Sequence, residues 1–203
     1  MELSDNDRAA ISAAIRAAEA HTCGQIVCVL ARSSSDYSAV PIQWAALLAL
    51  IVPWPLIYFT QLAVQRIFLL QIIVFIIAAL ILSWSPLRMA LVPRAVRRAR
   101  AHRGAIEQFF LRGLANTRHR CGVLIFVSLA EHYARIVADR GVASKVGQAQ
   151  WQEAIDALTP HMRDGRIAAG FIAAIERCGA VLAANAPPDG APDALPDRIF
   201  VLS

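Results

Sequence analysis

The sequence predicts an α/β protein with a small mixed sheet, interrupted by an inserted two-helix transmembrane hairpin. Three observations carry this expectation. Two apolar blocks, about 44–63 and 67–87, contain no charge, and each supplies the ~20 residues a spanning helix needs. Two β-branched runs, Gln25–Ala31 (QIVCVLA) and Gly122–Leu129 (GVLIFVSL), read as strands, the first parallel and covered on both faces. Amphipathic helical patterns lie around those runs.

Composition agrees. Of 203 residues, 57% are hydrophobic, against roughly 45–50% in an ordinary soluble domain. Outside the hairpin about 150 residues remain, enough for one domain with its own core. The net charge of +5 is unevenly spread. Residues 1–40 carry more acids than bases, whereas 88–120 carry nine arginines against the single acid Glu107. The cluster Arg94, Arg97, Arg98, Arg100 and Arg103 follows the second apolar block, as expected on the cytoplasmic side of a span. No aromatic interleaving or recognition motif accompanies it, so nucleic acid is the weaker partner. Membrane lipid is the stronger one.

Taken in order, residues 4–21 form a helix, with Ser4 and Asp7 as a capping box and Ile11, Ala14, Ile15 and Ala18 as its apolar stripe. Gly24 turns the chain into the first strand. Residues 32–38 are a polar loop. Residues 1–20 are polar and acidic rather than signal-like, so the first apolar block is the expected membrane-targeting element. Pro53 and Pro55 kink that block. Trp44 and Trp84 suit an interfacial belt; Trp54 falls near mid-depth, which leaves a re-entrant first segment as the alternative. The turn is expected at Val64-Gln65-Arg66. Two spans return the chain to one side, with both termini in the cytoplasm of a bacterial cell. Pro93–Leu114 is a helix with Ile106, Phe109, Phe110 and Leu114 as its docking face. Gly122–Leu129 and Tyr133–Asp139 follow, too close for a crossover and therefore an antiparallel hairpin. Helices follow at about 144–158, ending before Pro160, and 166–184. Residues 185–196 are rich in Pro, Asp and Ala, and Ile199–Leu202 is an apolar tetrad that suits either a sheet edge or the hairpin. The chain thus divides into 1–40 (helix, strand), 41–92 (hairpin), 93–186 (the rest of the domain) and 187–203 (an extended tail). A strand, a crossover and a strand predict a right-handed parallel βαβ unit, with the hairpin inserted in the crossover.

An ordered set of residues resembles a known family: Thr22-Cys23-Gly24-Gln25-Ile26-Val27, Ser35-Asp36-Tyr37, Thr117, Gly122–Ser128, Ala138-Asp139-Arg140-Gly141-Val142, Trp151 and Leu195-Pro196-Asp197. Together they are similar to the TPM domain, and most to its bacterial branch of predicted membrane proteins with a hydrophobic hairpin in the domain. The resemblance implies an α/β/α sandwich with a small central sheet. Phosphatase activity and calcium binding are attached to some members. One departure is visible: Gln25 stands where the branch often has Glu, so any ligand or base role of that carboxylate is lost here.

Ligands of open α/β sheets sit beyond the carboxyl ends of the parallel strands, which are Arg32–Asp36 and Val127-Ser128. Asp36 and Ser128 are therefore candidate oxygen ligands for a divalent cation, calcium or magnesium. Asp139 and Arg140 are candidates for a metal or an anion, not necessarily on the same edge. The blander readings are a turn former, a strand end and a charged turn. Glu131-His132 reads as a solvated hairpin tip rather than an acid–base pair. His21, His102, His119 and His161 are isolated. Ser33-Ser34-Ser35 lacks a GxSxG elbow. Cys23, Cys28, Cys121 and Cys178 form no CxxC motif and read as buried free thiols of a reducing compartment. The expectation is a non-catalytic binding or accessory module with an unidentified protein partner, and self-association left open. The alternative is a divalent-metal-dependent phosphatase.

Overall fold

The computed structural model describes residues 3–33, 39–84, 92–117, 119–188 and 195–202. They fall into two compact units, 1–34 with 99–203, and 35–98.

The first unit is an α/β/α sandwich around a four-stranded mixed sheet of order β3-β2-β1-β4. The strands are β1 (Gln25–Ala31), β2 (Gly122–Ser128), β3 (Tyr133–Ala138) and β4 (Ile199–Leu202). β1 and β2 pair in parallel from Gln25↔Gly122 to Ala31↔Ser128, and every residue of both is buried. Strand side chains alternate between faces. Ile26, Cys28, Leu30, Val123, Ile125 and Val127 therefore enter one core, and Val27, Val29, Ala31, Leu124 and Phe126 the other. β3 runs antiparallel to β2, as the short link requires. The terminal tetrad takes the sheet edge: β4 pairs in parallel with β1 from Cys28↔Ile199 to Ala31↔Leu202. The guanidinium groups of Arg112 and Arg198 lie 3.8 and 4.9 Å from the Phe200 ring centroid.

Helix α1 (Asp5–Glu19) starts with the capping box expected of Ser4 and Asp7 and buries Ile11 and Ile15 in the larger core. The hairpin unit holds α2 (Ala39–Ile51), α3 (Pro53–Phe59) and α4 (Val64–Leu82). The expected kink appears as a break at Val52, with Pro53 opening α3, where its missing N–H costs nothing. The turn lies earlier than expected. Phe59 ends α3, and Gln65 and Arg66 already belong to the first turn of α4. Thr60 is extended and begins the four-residue connection. α2 packs along α4, and its buried positions Pro41, Ala45 and Ala49 recur every fourth residue. Small residues at that spacing let helices approach closely.

α5 (Arg94–Leu111) covers the smaller core, followed by a 3₁₀ turn at Leu114–Asn116. Its docking face differs from expectation. Ala105, Phe109 and the following Leu114 are buried there, while Ile106 and Phe110 are exposed. Alanine lets the helix lie close to the sheet, and the larger Ile106 turns outward. α6 (Arg140–Ala143) is a short helix capped by Asp139, where a plain turn was expected. That delays α7 to Gln148–Arg163. α7 continues through Pro160 because only one backbone bond is forfeited there, and Met162 packs on the core just beyond it. Gly165 at φ 74° supplies the left-handed residue that ends it. α8 (Ile167–Asn185) places Phe171, Ala174, Ile175, Cys178 and Leu182 in the larger core, beside α1 and α7.

Gly141 is fixed by close approach: a Cβ there would lie 2.4 Å from the His119 carbonyl oxygen and 2.6 Å from that of Arg120. Gly147 has open space around it. Gly141→Ala should therefore lower unfolding stability by about 2 kcal/mol or more, as backbone overpacking does. Gly147→Ala should cost under about 1 kcal/mol, the difference between glycine and alanine at a helix N-cap. Denaturant titration of the detergent-solubilised protein separates the two.

Candidate functional site

The parallel register gives the sheet a carboxyl edge and an amino edge. At the carboxyl edge, β1 and β2 end side by side at Ala31 and Ser128. Their pairing continues outward through Leu129 N–H to Ala31 O and Ala130 N–H to Arg32 O, both 3.0 Å. The tip then folds back over the strand ends, with His132 at φ 48°. This buries Glu131, which is 6% exposed. Its carboxylate accepts hydrogen bonds from the hydroxyls of Ser128 and Ser33, the latter at 3.2 Å. Glu131 is thus not the solvated tip residue expected from sequence. It is an acceptor shared by the ends of two adjacent strands. The signal was present as Ser128-x-x-Glu131, the spacing at which a carboxylate reaches back to a hydroxyl within one turn. Asp36, the other expected member of this edge, lies outside the described residues.

The amino edge holds the second set. β3 runs antiparallel, so Asp139 follows its last residue and lies beside the start of β2, with Asp139 N–H donating to Gly122 O at 2.8 Å. Ser128 is at the other end of that strand, ~20 Å away at about 3.3 Å per residue. The structure therefore separates Ser128 from Asp139 and Arg140. Asp139 is 6% exposed and caps α6, its Oδ1 accepting from Arg140 N–H at 2.7 Å. The Arg140 side chain is exposed. Gln25, Gly122 and Asp139 share one row across β1, β2 and β3, and the Oε1 of Gln25 and Oδ2 of Asp139 are both buried without a partner.

The backbone of the Thr22-Cys23-Gly24 segment is held in a latch. Thr22 Oγ1 donates to Ala186 O at 2.5 Å and accepts from Gly24 N–H at 3.0 Å. Cys23 N–H also donates to Ala186 O, at 3.2 Å. Glu19 Oε1 accepts from Ile26 N–H at 2.6 Å. The end of α8 is thereby latched to the start of β1. Beside the latch is a cavity of about 520 Å³ lined by Cys23, His119, Cys121, Gly141, Ser144, Lys145, Ala186 and Pro187. Cys23 is half-buried rather than enclosed, which the sequence pattern does not reveal. Burial, then the neighbouring Cys23, pushes the Cys121 thiol up to about 11. His102, on α5, is held below its ordinary value by burial and then by the Arg135 guanidinium. Among the described residues, no three His, Cys, Asp or Glu side chains converge to hold a metal ion.

An open mixed sheet with helices on both faces, and with polar groups at its two ends, defines a small α/β/α domain. Residues 86–181 match the TPM domain family. The fold is also that of the BA42 protein from the psychrophilic bacterium Bizionia argentinensis, solved by NMR. That structure is 20% identical, with a TM-score of 0.63 over 99% of this chain and 96% of the other. No curated protein matches the chain. The family match covers α5 through most of α8. The compact α/β/α unit also includes α1, β1 and β4, outside the matched residues.

Removing the Ser128 hydroxyl leaves the buried Glu131 carboxylate short of a donor. Ser128→Ala should cost about 1–3 kcal/mol in unfolding free energy. The exposed Arg140→Ala should cost under about 0.5 kcal/mol. Equal losses in chemical denaturation would contradict this account of the carboxyl edge.

Proposed function

We propose that this protein is a membrane-anchored TPM domain acting as a binding or accessory module at the cytoplasmic face of a bacterial inner membrane. One observation carries the reading: two long apolar helices are inserted between strands that pair in parallel. Ala39–Phe59 and Val64–Leu82 are each long and apolar enough to cross a membrane, and at ~1.5 Å per residue each reaches the ~30 Å of a bilayer core. Their large side chains are outward, with Phe59 87% and Leu80 71% exposed. Ile167–Asn185 also meets the length and composition criterion, but that helix is α8, which puts one face into the sheet core. Two spans with both termini cytoplasmic is therefore the reading adopted. The arginines of α5 support the orientation, and the exposed Ile106, Phe110 and Leu111 on the same helix suit a lipid or protein surface. The proposed partners are anionic lipid and a protein still to be identified.

The competing reading, a divalent-metal-dependent phosphatase, draws on one feature, the buried Ser128–Glu131 pair at the edge where α/β ligands sit. The described residues do not make up a metal set there, so no catalytic step is assigned to it. A phosphomonoester assay with calcium or magnesium decides between the readings. The accessory reading expects no turnover above background. Turnover abolished by Asp36→Ala or Asp139→Ala would overturn it.

Topology is tested separately. In a variant without native cysteines, Gln61→Cys should be modified by an impermeant maleimide from the periplasmic side. Modification from the cytoplasmic side alone would sink the two-span reading. Replacing Arg94, Arg97, Arg98, Arg100 and Arg103 with glutamine should turn one orientation into a mixture of two, because positive charge near the span ends sets orientation.

A further inference from the structure

We infer that Cys23 and Cys121 form a redox-active dithiol at the amino edge of the sheet, a modification site whose co-substrate is a hydroperoxide. Three observations converge on it. Both side chains line the same cavity, and that cavity has room for a small oxidant. Cys121 Sγ donates to the His119 carbonyl oxygen at 3.2 Å, and Cys23 lies close enough to raise the Cys121 thiol. The backbone holds them together, since Gln25 N–H donates to Cys121 O at 3.3 Å, which sets Cys121 beside Gly24 and one residue from Cys23.

The other two cysteines provide the internal contrast. Cys28 and Cys178 are also neighbours, but both are fully enclosed in the core. Burial pushes the Cys178 thiol up to about 12 and raises Cys28 well above its ordinary value. A buried thiol of that kind is inert, because reaction needs both thiolate and access. Only the Cys23–Cys121 pair combines proximity with an opening.

Exposure assigns the order of events. Cys23 is half-buried and Cys121 is 6% exposed. Cys23 Sγ attacks one peroxide oxygen as its thiolate. The O–O bond breaks, the departing oxygen takes a proton and leaves as water, and Cys23 becomes a sulfenic acid. Cys121 Sγ then attacks the Cys23 sulfur. The S–O bond breaks, and the hydroxide takes the Cys121 proton to leave as a second water. Two thiols and one hydrogen peroxide give one disulfide and two waters, with two electrons passing to the peroxide. This is the reversible rung of thiol oxidation, closed by a resolving cysteine. The Lys145 ammonium near Cys121 favours its anionic form as that proton is lost. The bond would join the start of β1 to the start of β2, which bracket the hairpin insertion.

The test uses the full-length reduced protein in detergent with a small molar excess of hydrogen peroxide. Free thiols should fall from four to two, with thiols restored by dithiothreitol. Peptide mass mapping should show Cys23 linked to Cys121 within one chain. In Cys121→Ser, the three remaining thiols should fall to two, and dimedone should trap sulfenic acid on Cys23. In Cys23→Ser all three should persist. A Cys28→Ala/Cys178→Ala variant should still form the bridge. The mapping on unaltered protein decides the matter even if a variant fails to fold. Four thiols surviving peroxide, a bridge between chains, or a bridge to Cys28 or Cys178 would each overturn the inference.

Discussion

The parallel pairing of β1 with β2 is the constraint on which the rest depends. These strands are the two central members of the sheet, and each is buried along its whole length. Their register aligns both edges and presents alternate side chains to two cores. It is also a strongly non-local pairing, since the whole hairpin unit lies between the partners. Closing a flexible loop of about ninety residues costs roughly 4 kcal/mol, but each doubling of length adds only ~0.6 kcal/mol. A domain that already tolerates a crossover therefore tolerates a long insertion in it. The hairpin reduces the cost further, because α2 packs along α4 and brings the ends of the insertion back toward each other.

What was legible in the sequence follows from where local pattern and tertiary packing agree. Gln25–Ala31 and Gly122–Ser128 are recognisable as strands because their residues serve two buried faces at once, which needs an unbroken β-branched run. Ser4 and Asp7 mark the start of α1 because a capping box is purely local. The misses occur where a distant contact decides. α5 docks through Ala105 rather than Ile106, and periodicity alone favours the larger side chain. Pro160 lies inside α7 because the packing of Met162 on the core outweighs one lost bond. Ile199–Leu202 fits two destinations in sequence because an apolar tetrad specifies burial and not a partner.

The candidate site was half legible for the same reason. Strand direction alone places Ser128 at the carboxyl edge, and the turn after β2 requires β3 to carry Asp139 the other way. Glu131 reads as exposed because hairpin tips are usually wet, whereas this one folds its carboxylate onto the strand ends. Cys23 and Cys121 could not be paired from spacing, since most of the chain that separates them belongs to another compact unit. Only the strand register brings them together.

The two edges therefore differ in how they are closed. The carboxyl edge is closed by its own hydrogen bonds: the Glu131 carboxylate accepts both serine hydroxyls. A ligand arriving there must displace bonds already made, which costs the desolvation of a buried acceptor. The amino edge is open, with a cavity lined by Cys23 and Cys121 and an unpartnered Asp139 oxygen in the neighbouring row. Its components are held by backbone: Gly141 N–H donates to Arg120 O, and Asp139 N–H to Gly122 O. Reaction at the thiols can thus proceed without unmaking the fold. It also acts where the first segment of the domain meets the second, on either side of the insertion. A covalent link there would tie together the starts of both central strands, the pairing on which both cores depend.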